Sequence, residues 1–185
     1  SATDCRRSVA VTLGTGVGSA FIDSGVAVDS GPLVPAGGEV HFLQIDGRPL
    51  EDVMSRRAII AAYRRHAIPD TAAAEEIADL DVREIAGLAA SGDHAALRAL
   101  QEPCQALGVA ISPWLKRFEA EILVVGGGLT ASWSLIEPPL RNGVERGAPG
   151  LKGLPIVRSR DPEESVERGA AWFSQPGQAR ETARA

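Results

Sequence analysis

The chain is 185 residues long, 44% hydrophobic and 23% charged, with a formal net charge of -5. That length and balance describe one globular domain, or a core carrying one sub-domain, and exclude a disordered, collagenous or membrane chain. The acidic surplus argues against direct nucleic-acid binding, which needs excess Lys and Arg, and the 4% aromatic share leaves the interior to aliphatic side chains and alanine.

The first element predicted is a buried strand at Val9-Ala10-Val11-Thr12-Leu13, β-branched and bounded by glycine. It starts almost at once and residue 1 is not Met, so the chain reads as a fragment or a processed chain. Alternating glycines follow, Gly14-Thr15-Gly16-Val17-Gly18, then strand runs at 19–22 and 26–28 with a turn at Asp23-Ser24-Gly25, giving an antiparallel meander. Residues 35–47 read as loop. Helical patterns occupy 49–63, 81–90 and 93–118, with Pro103 and Pro113 expected to kink or split the last. The sheet resumes at Ile122-Leu123-Val124-Val125, followed by Gly126-Gly127-Gly128. Beyond it the sequence predicts a helix over 131–145 interrupted at Pro138-Pro139, a strand over 154–157 and a helix over 162–172. Strand alternating with helix points to an α/β sheet with parallel members. One domain over 1–174, with a helical insertion at about 50–118 and a frayed tail over 175–185, is the expected organisation.

No apolar run approaches the roughly 18 residues of a membrane span and the N-terminus has no signal core, so a cytoplasmic protein with no membrane partner is expected. Cys5 and Cys104 are far apart with no CxxC pattern, so neither a disulfide framework nor a zinc ribbon is encoded.

Two glycine-rich turns can carry chemistry. Glycines at 14, 16 and 18 let backbone N–H groups face one concave side with no Cβ to keep an anion away. Neither the dinucleotide fingerprint nor the P-loop fits, because a strand follows and no Gly-Lys-Ser/Thr is present; a tight turn remains the plain alternative. Gly126-Gly127-Gly128 lies at the carboxyl end of a buried strand, where open α/β sheets bind ligands, although a strand-to-helix turn also uses glycine. Glu39 and His41, two apart in an extended segment, share a face and suit sugar hydroxyls together with Glu51; helix-dipole and solvated-loop roles are the alternatives. His66, His94 and the arginines 56, 57, 64 and 65 read as surface residues.

In order along the chain, Val11-Thr12-Leu13-Gly14-Thr15-Gly16-Val17-Gly18, Ala36-Gly37-Gly38-Glu39-Val40-His41, Leu50-Glu51-Asp52-Val53-Met54-Ser55, Ile122 to Gly128 and Glu167-Arg168-Gly169-Ala170-Ala171 resemble the carboxyl-terminal half of the ROK family of bacterial sugar kinases and sugar-sensing regulators. The resemblance implies an actin-like ATPase (ribonuclease H-like) domain with a mixed sheet, and an ATP-dependent sugar kinase with Mg2+, acting on a hexose or amino sugar. It places Gly14, Thr15, Gly16 and Gly18 on the phosphates, Gly126, Gly127 and Gly128 against the adenosine, and Glu39, His41 and Glu51 on the sugar. A homodimer, or a partner half bearing the family's first phosphate loop and catalytic aspartate, which have no counterpart here, is implied too. The alternative is a non-catalytic sugar-sensing or dimerisation module of a ROK-type transcriptional regulator. Two departures stand out. The family writes Gly-Glu-x-Gly-His, one residue longer than Glu39-Val40-His41, and its zinc-site cysteines are missing between Phe42 and Leu50, so no structural zinc is expected.

Overall fold

The computed structural model describes residues 5–67 and 80–159. Strands β1 (Arg7–Leu13), β2 (Val17–Asp23) and β3 (Val26–Val28) form an antiparallel meander. A two-stranded hairpin follows, β4 (Gln44–Ile45) with β5 (Arg48–Pro49). Helices α1 (Leu50–Val53), α2 (Arg56–His66), α3 (Val82–Ala90) and α4 (His94–Phe118) then fill the interval expected for the insertion. Next come β6 (Ile122–Gly126), α5 (Trp133–Gly147) and β7 (Ile156–Arg158), a parallel crossover unit. The main sheet is ordered β3-β2-β1-β6-β7, so the strand of Val9 lies beside the strand of Ile122, in parallel. The terminal helix expected over 162–172, the Glu167 to Ala171 motif and the 175–185 tail lie outside the described residues.

Period-two burial sets β1: Val9, Val11 and Leu13 point into the core. Opposite Val9 in register sits Phe21, whose ring meets Phe118 of α4 edge-on at 5.2 Å. The β2–β3 corner is a two-residue turn with both φ positive, Ser24 at 52° and Gly25 at 83°. Asp46 and Gly47 make the same kind of turn between β4 and β5, a hairpin within a stretch expected to be loop.

Helix starts follow legible caps. Asp81 accepts from the Val82 N–H and closes a capping box with Glu84, and Asp93 accepts from the Ala96 N–H at 2.7 Å. The block expected to be kinked or split at Pro103 and Pro113 is not split: both lie inside one 25-residue helix. A proline at 113 removes the N–H that would reach the Val109 carbonyl, and the buried Ser112 hydroxyl donates to that carbonyl instead, at 2.9 Å. Helix α5 is likewise continuous through Pro138 and Pro139. It presses Ile136, Leu140 and Val144 into the core and approaches α4 backbone to backbone at Gly108, Gly143 and Gly147.

The described residues form two hydrophobic cores. The larger lies among the sheet, α5 and the part of α4 from Cys104 onward. The smaller joins Ile59 and Tyr63 of α2, Ile85 and Ala89 of α3, and the first turns of α4 up to Leu100.

Candidate nucleotide and sugar cleft

The two glycine turns are neighbours because their strands are. Thr12, near the end of β1, pairs with Gly18 across the hairpin and with Gly126 across the parallel ladder. The hairpin closes with the Gly14 N–H donating to the Gly16 carbonyl at 3.1 Å. Gly127, at φ 89°, lies on the Leu13 backbone, where a Cβ would stand 2.7 Å from main-chain atoms. Only glycine allows both that conformation and that approach.

An open cleft of about 600 Å³ lies over this junction, lined by Gly14, Thr15, Gly16, Gly18 and Gly127 and by His41 and Glu51. Helix α1 aims Glu51. Leu50, fully buried, donates its N–H to the Leu43 carbonyl at 2.7 Å, which turns the next side chain onto the hairpin. One Glu51 carboxylate oxygen then occupies the place a Cβ on Gly16 would take. His41 is set by Ser19 of β2, whose hydroxyl donates to the Gly38 carbonyl at 2.6 Å and accepts from the Val40 N–H at 2.9 Å. This clamp fixes the chain on both sides of Glu39.

Glu39 itself does not line the cleft. Its side chain folds back over Gly37, half exposed, with Oε2 3.9 Å from His41 Nε2, beyond hydrogen-bond distance. The face expected to be shared by Glu39 and His41 presumes an extended chain. Here Ala36–Gly38 and Val40–Phe42 are 3-10 turns, which abolish the period of two, and the His41 ring lies tilted against Phe42 instead, centroids 3.9 Å apart.

Past Gly14 the cleft meets a second pocket of about 280 Å³, between Leu13 and Leu129 on the sheet side and Met54, Ile59, Val82 and Ala86 of the insertion. Gly128 belongs to this pocket, whereas Gly126 lines neither it nor the cleft, and a Cβ on it would meet Ser159 and Thr12. The pocket's wall includes Arg56, Asp81 and Arg83. Arg56 Nε pairs with Asp81 Oδ1 at 3.0 Å. The Val82 N–H and then Arg56 hold the Asp81 carboxyl below its ordinary range. Of the arginines expected on a solvated face, 57, 64 and 65 are exposed as anticipated, and Arg56 is the one that reaches a pocket. His94 is exposed, and His66 is half-buried against Glu102 at 3.0 Å.

Sequence reasoning passed over Thr12, Ser19, Arg56 and Asp81. Thr12 was legible as the polar residue of an alternating strand next to the turn. Arg56 and Asp81 stand 25 positions apart and meet only through the fold.

The ROK family model matches residues 45–175. This chain belongs to the ROK family. Among solved structures it is similar to a candidate sugar kinase of Cytophaga hutchinsonii, at 24% identity and TM-score 0.78, covering 93% of this chain and 58% of that one. It is similar to a ROK family transcriptional regulator homologous to the Escherichia coli Mlc protein, at 25% identity and TM-score 0.74, over 91% of this chain and 45% of the other. A ROK glucokinase of Streptomyces griseus, solved with glucose and AMPPNP, matches at 20% identity and TM-score 0.72, over 91% and 60%. The chain therefore spans about half the length of these ROK structures. Its mixed sheet with a helical insertion is the actin-like ATPase fold of the ROK sugar kinases.

Proposed function

We propose that this ROK chain forms the ATP- and sugar-binding part of a kinase that transfers a phosphoryl group to a hexose hydroxyl. The observation that carries the reading is the meeting of two glycine turns, at the carboxyl ends of parallel neighbours β1 and β6, in a cleft that also receives Glu51 and His41. Main-chain N–H groups of the Gly14 to Gly18 hairpin suit phosphate oxygens. The apolar pocket beside Gly128 suits a nucleoside, and its junction with the cleft at Gly14 lets one ligand thread both. Glu51 accepts hydrogen bonds from sugar hydroxyls, and His41 donates or accepts with its tautomer. Phosphoryl transfer is mostly positioning and charge stabilisation, and these residues supply positioning.

Mg2+ fits as an ion brought in on the phosphates. Glu51 gives the cleft one carboxylate, and no group of three metal-ligating side chains exists among the described residues. Mg2+ commonly takes few protein ligands beside phosphate oxygens, and it would neutralise phosphate charge.

Calorimetric titration of the chain with ATP and with glucose, mannose and N-acetylglucosamine tests the proposal. ATP and at least one sugar should bind, and Glu51→Gln should abolish the sugar isotherm while sparing ATP. The similarity to the Mlc homologue favours a second reading, a sugar-sensing module of a regulator. Sugar binding without any nucleotide binding would select it.

A further inference from the structure

The cleft proposed for the phosphates has no fixed positive charge of its own. Among the described residues its wall consists of glycines, Val17, the hydroxyls of Thr12 and Thr15, His41 and one carboxylate, Glu51, set directly over Gly16. A polyphosphate there gains N–H donors and meets the Glu51 charge at close range, a repulsion that the open cleft screens only in part. Beside any Mg2+ carried in on the phosphates, a fixed compensating charge from the described residues has to come from the rim. Among the described residues two guanidinium groups, Arg56 and Arg83, lie on the wall of the adjoining pocket. Arg56 is the one tied to the hairpin: as the first residue of α2 it donates its backbone N–H to the Thr15 carbonyl at 3.4 Å. Its side chain is more than half exposed and is turned to Asp81, also half exposed. Isolated exposed pairs of that kind contribute little and break readily.

We infer that Arg56 is a nucleotide-binding residue that leaves Asp81 and closes on the phosphates of a nucleoside di- or triphosphate, Asp81 being the competing site that holds it when no nucleotide is bound. The inference rests on the nucleotide reading above. A guanidinium fork takes two phosphate oxygens at once and offsets the Glu51 charge. Asp81 stays in place after the exchange, because its carboxylate also caps α3 through the Val82 N–H at 2.6 Å and the box with Glu84.

The test is titration of the 185-residue chain with ATP, ADP and adenosine in EDTA, so that no metal masks the arginine. Asn caps a helix about as well as Asp, so Asp81→Asn removes the competing charge and keeps the helix start. Arg56→Ala should weaken ATP and ADP about tenfold or more and leave adenosine within about twofold; Asp81→Asn should tighten ATP by about two- to fivefold. Opposite signs for the two variants are the signature. An ion pair that merely clips α2 to α3 would instead shift ATP and adenosine alike in both variants and lower both melting temperatures, and that result overturns the inference. Nucleotide binding by the wild type with no loss in Arg56→Ala overturns it alone, whereas a wild-type chain that binds no nucleotide overturns the function as well. Should Arg56→Ala fail to fold, Arg56→Gln carries the same expectation.

Discussion

At Gly16 the missing side chain is as informative as a present one, because a Glu51 carboxylate oxygen stands where a Cβ would be. The obstacle is the far end of a flexible side chain, so Gly16→Ala should fold normally and displace Glu51 from the cleft. Hydrogen bonds to charged groups are worth about 1.5–3 kcal/mol, so sugar affinity should fall at least tenfold, or about 1.4 kcal/mol, with little change in melting temperature. Cys104 is enclosed, and burial pushes its thiol up to about 12. Iodoacetamide at pH 8 should therefore modify the partly exposed Cys5 of the native chain and spare Cys104 until denaturant is added. Asp23 is held below the usual carboxylate range by Arg7 at 2.9 Å, then by Ser24 and Arg6. A lowered folded value means the contribution is complete above the ordinary value of about 4 and is lost as pH falls through it toward the lowered one. Asp23→Asn should thus cost stability at pH 7, cost progressively less as the pH falls below about 4, and flatten the acid limb of melting temperature against pH.

Helix packing gives a sharper contrast between glycines. A Cβ on Gly143 would collide with the Gln105 carbonyl and stand 3.0 Å from the Gly108 α-carbon, both backbone that cannot swing away. Gly143→Ala should lower unfolding free energy in urea by about 2–3 kcal/mol, the upper range for overpacking. Gly87, on the exposed side of α3, has nothing within 4 Å of such an atom, so Gly87→Ala should raise stability by about 0.5–1 kcal/mol. The elements were legible where one local signal sufficed: the β-branched runs at Val9 and Ile122 between glycines, and the insertion helices behind Asp81 and Asp93. They were not legible where a distant or unusual partner decides. The continuity of α4 through Pro113 depends on one serine hydroxyl, the Asp46-Gly47 hairpin has strands too short for a pattern, and the face that His41 presents depends on 3-10 turns pinned by Ser19. The glycine turns of the site could be read from sequence, but their adjacency is a property of the β1–β6 pairing, and the Arg56–Asp81 pair is invisible without it.

For the whole molecule the proposed function predicts binding without turnover. Among the described residues of the cleft Glu51 is the one carboxylate, and in this reading both it and His41 are committed to the sugar, so none of those residues is left over to take the acceptor proton. A positioned base is commonly worth about 10²–10⁴ in rate, and ADP formation by the 185-residue chain with any of the hexoses should stay at background. Sugar-dependent turnover abolished by Glu51→Gln would overturn that assignment. The pocket proposed for the nucleoside is bounded by side chains of both cores, Met54 from the larger and Ile59 and Ala86 from the smaller. Helix α4 is the beam between them, about 37 Å long at 1.5 Å per residue, and Pro103 falls between Leu100, the last α4 residue of one core, and Cys104, the first of the other. That joint is a backbone position with no amide proton and one hydrogen bond fewer. In native-state amide exchange it should divide α4 into two cooperative units, the turns before Pro103 opening with the insertion at lower free energy and those after it only with global unfolding. A ligand seated across the seam would merge them, slowing exchange in the first turns of α4, far from any atom it touches.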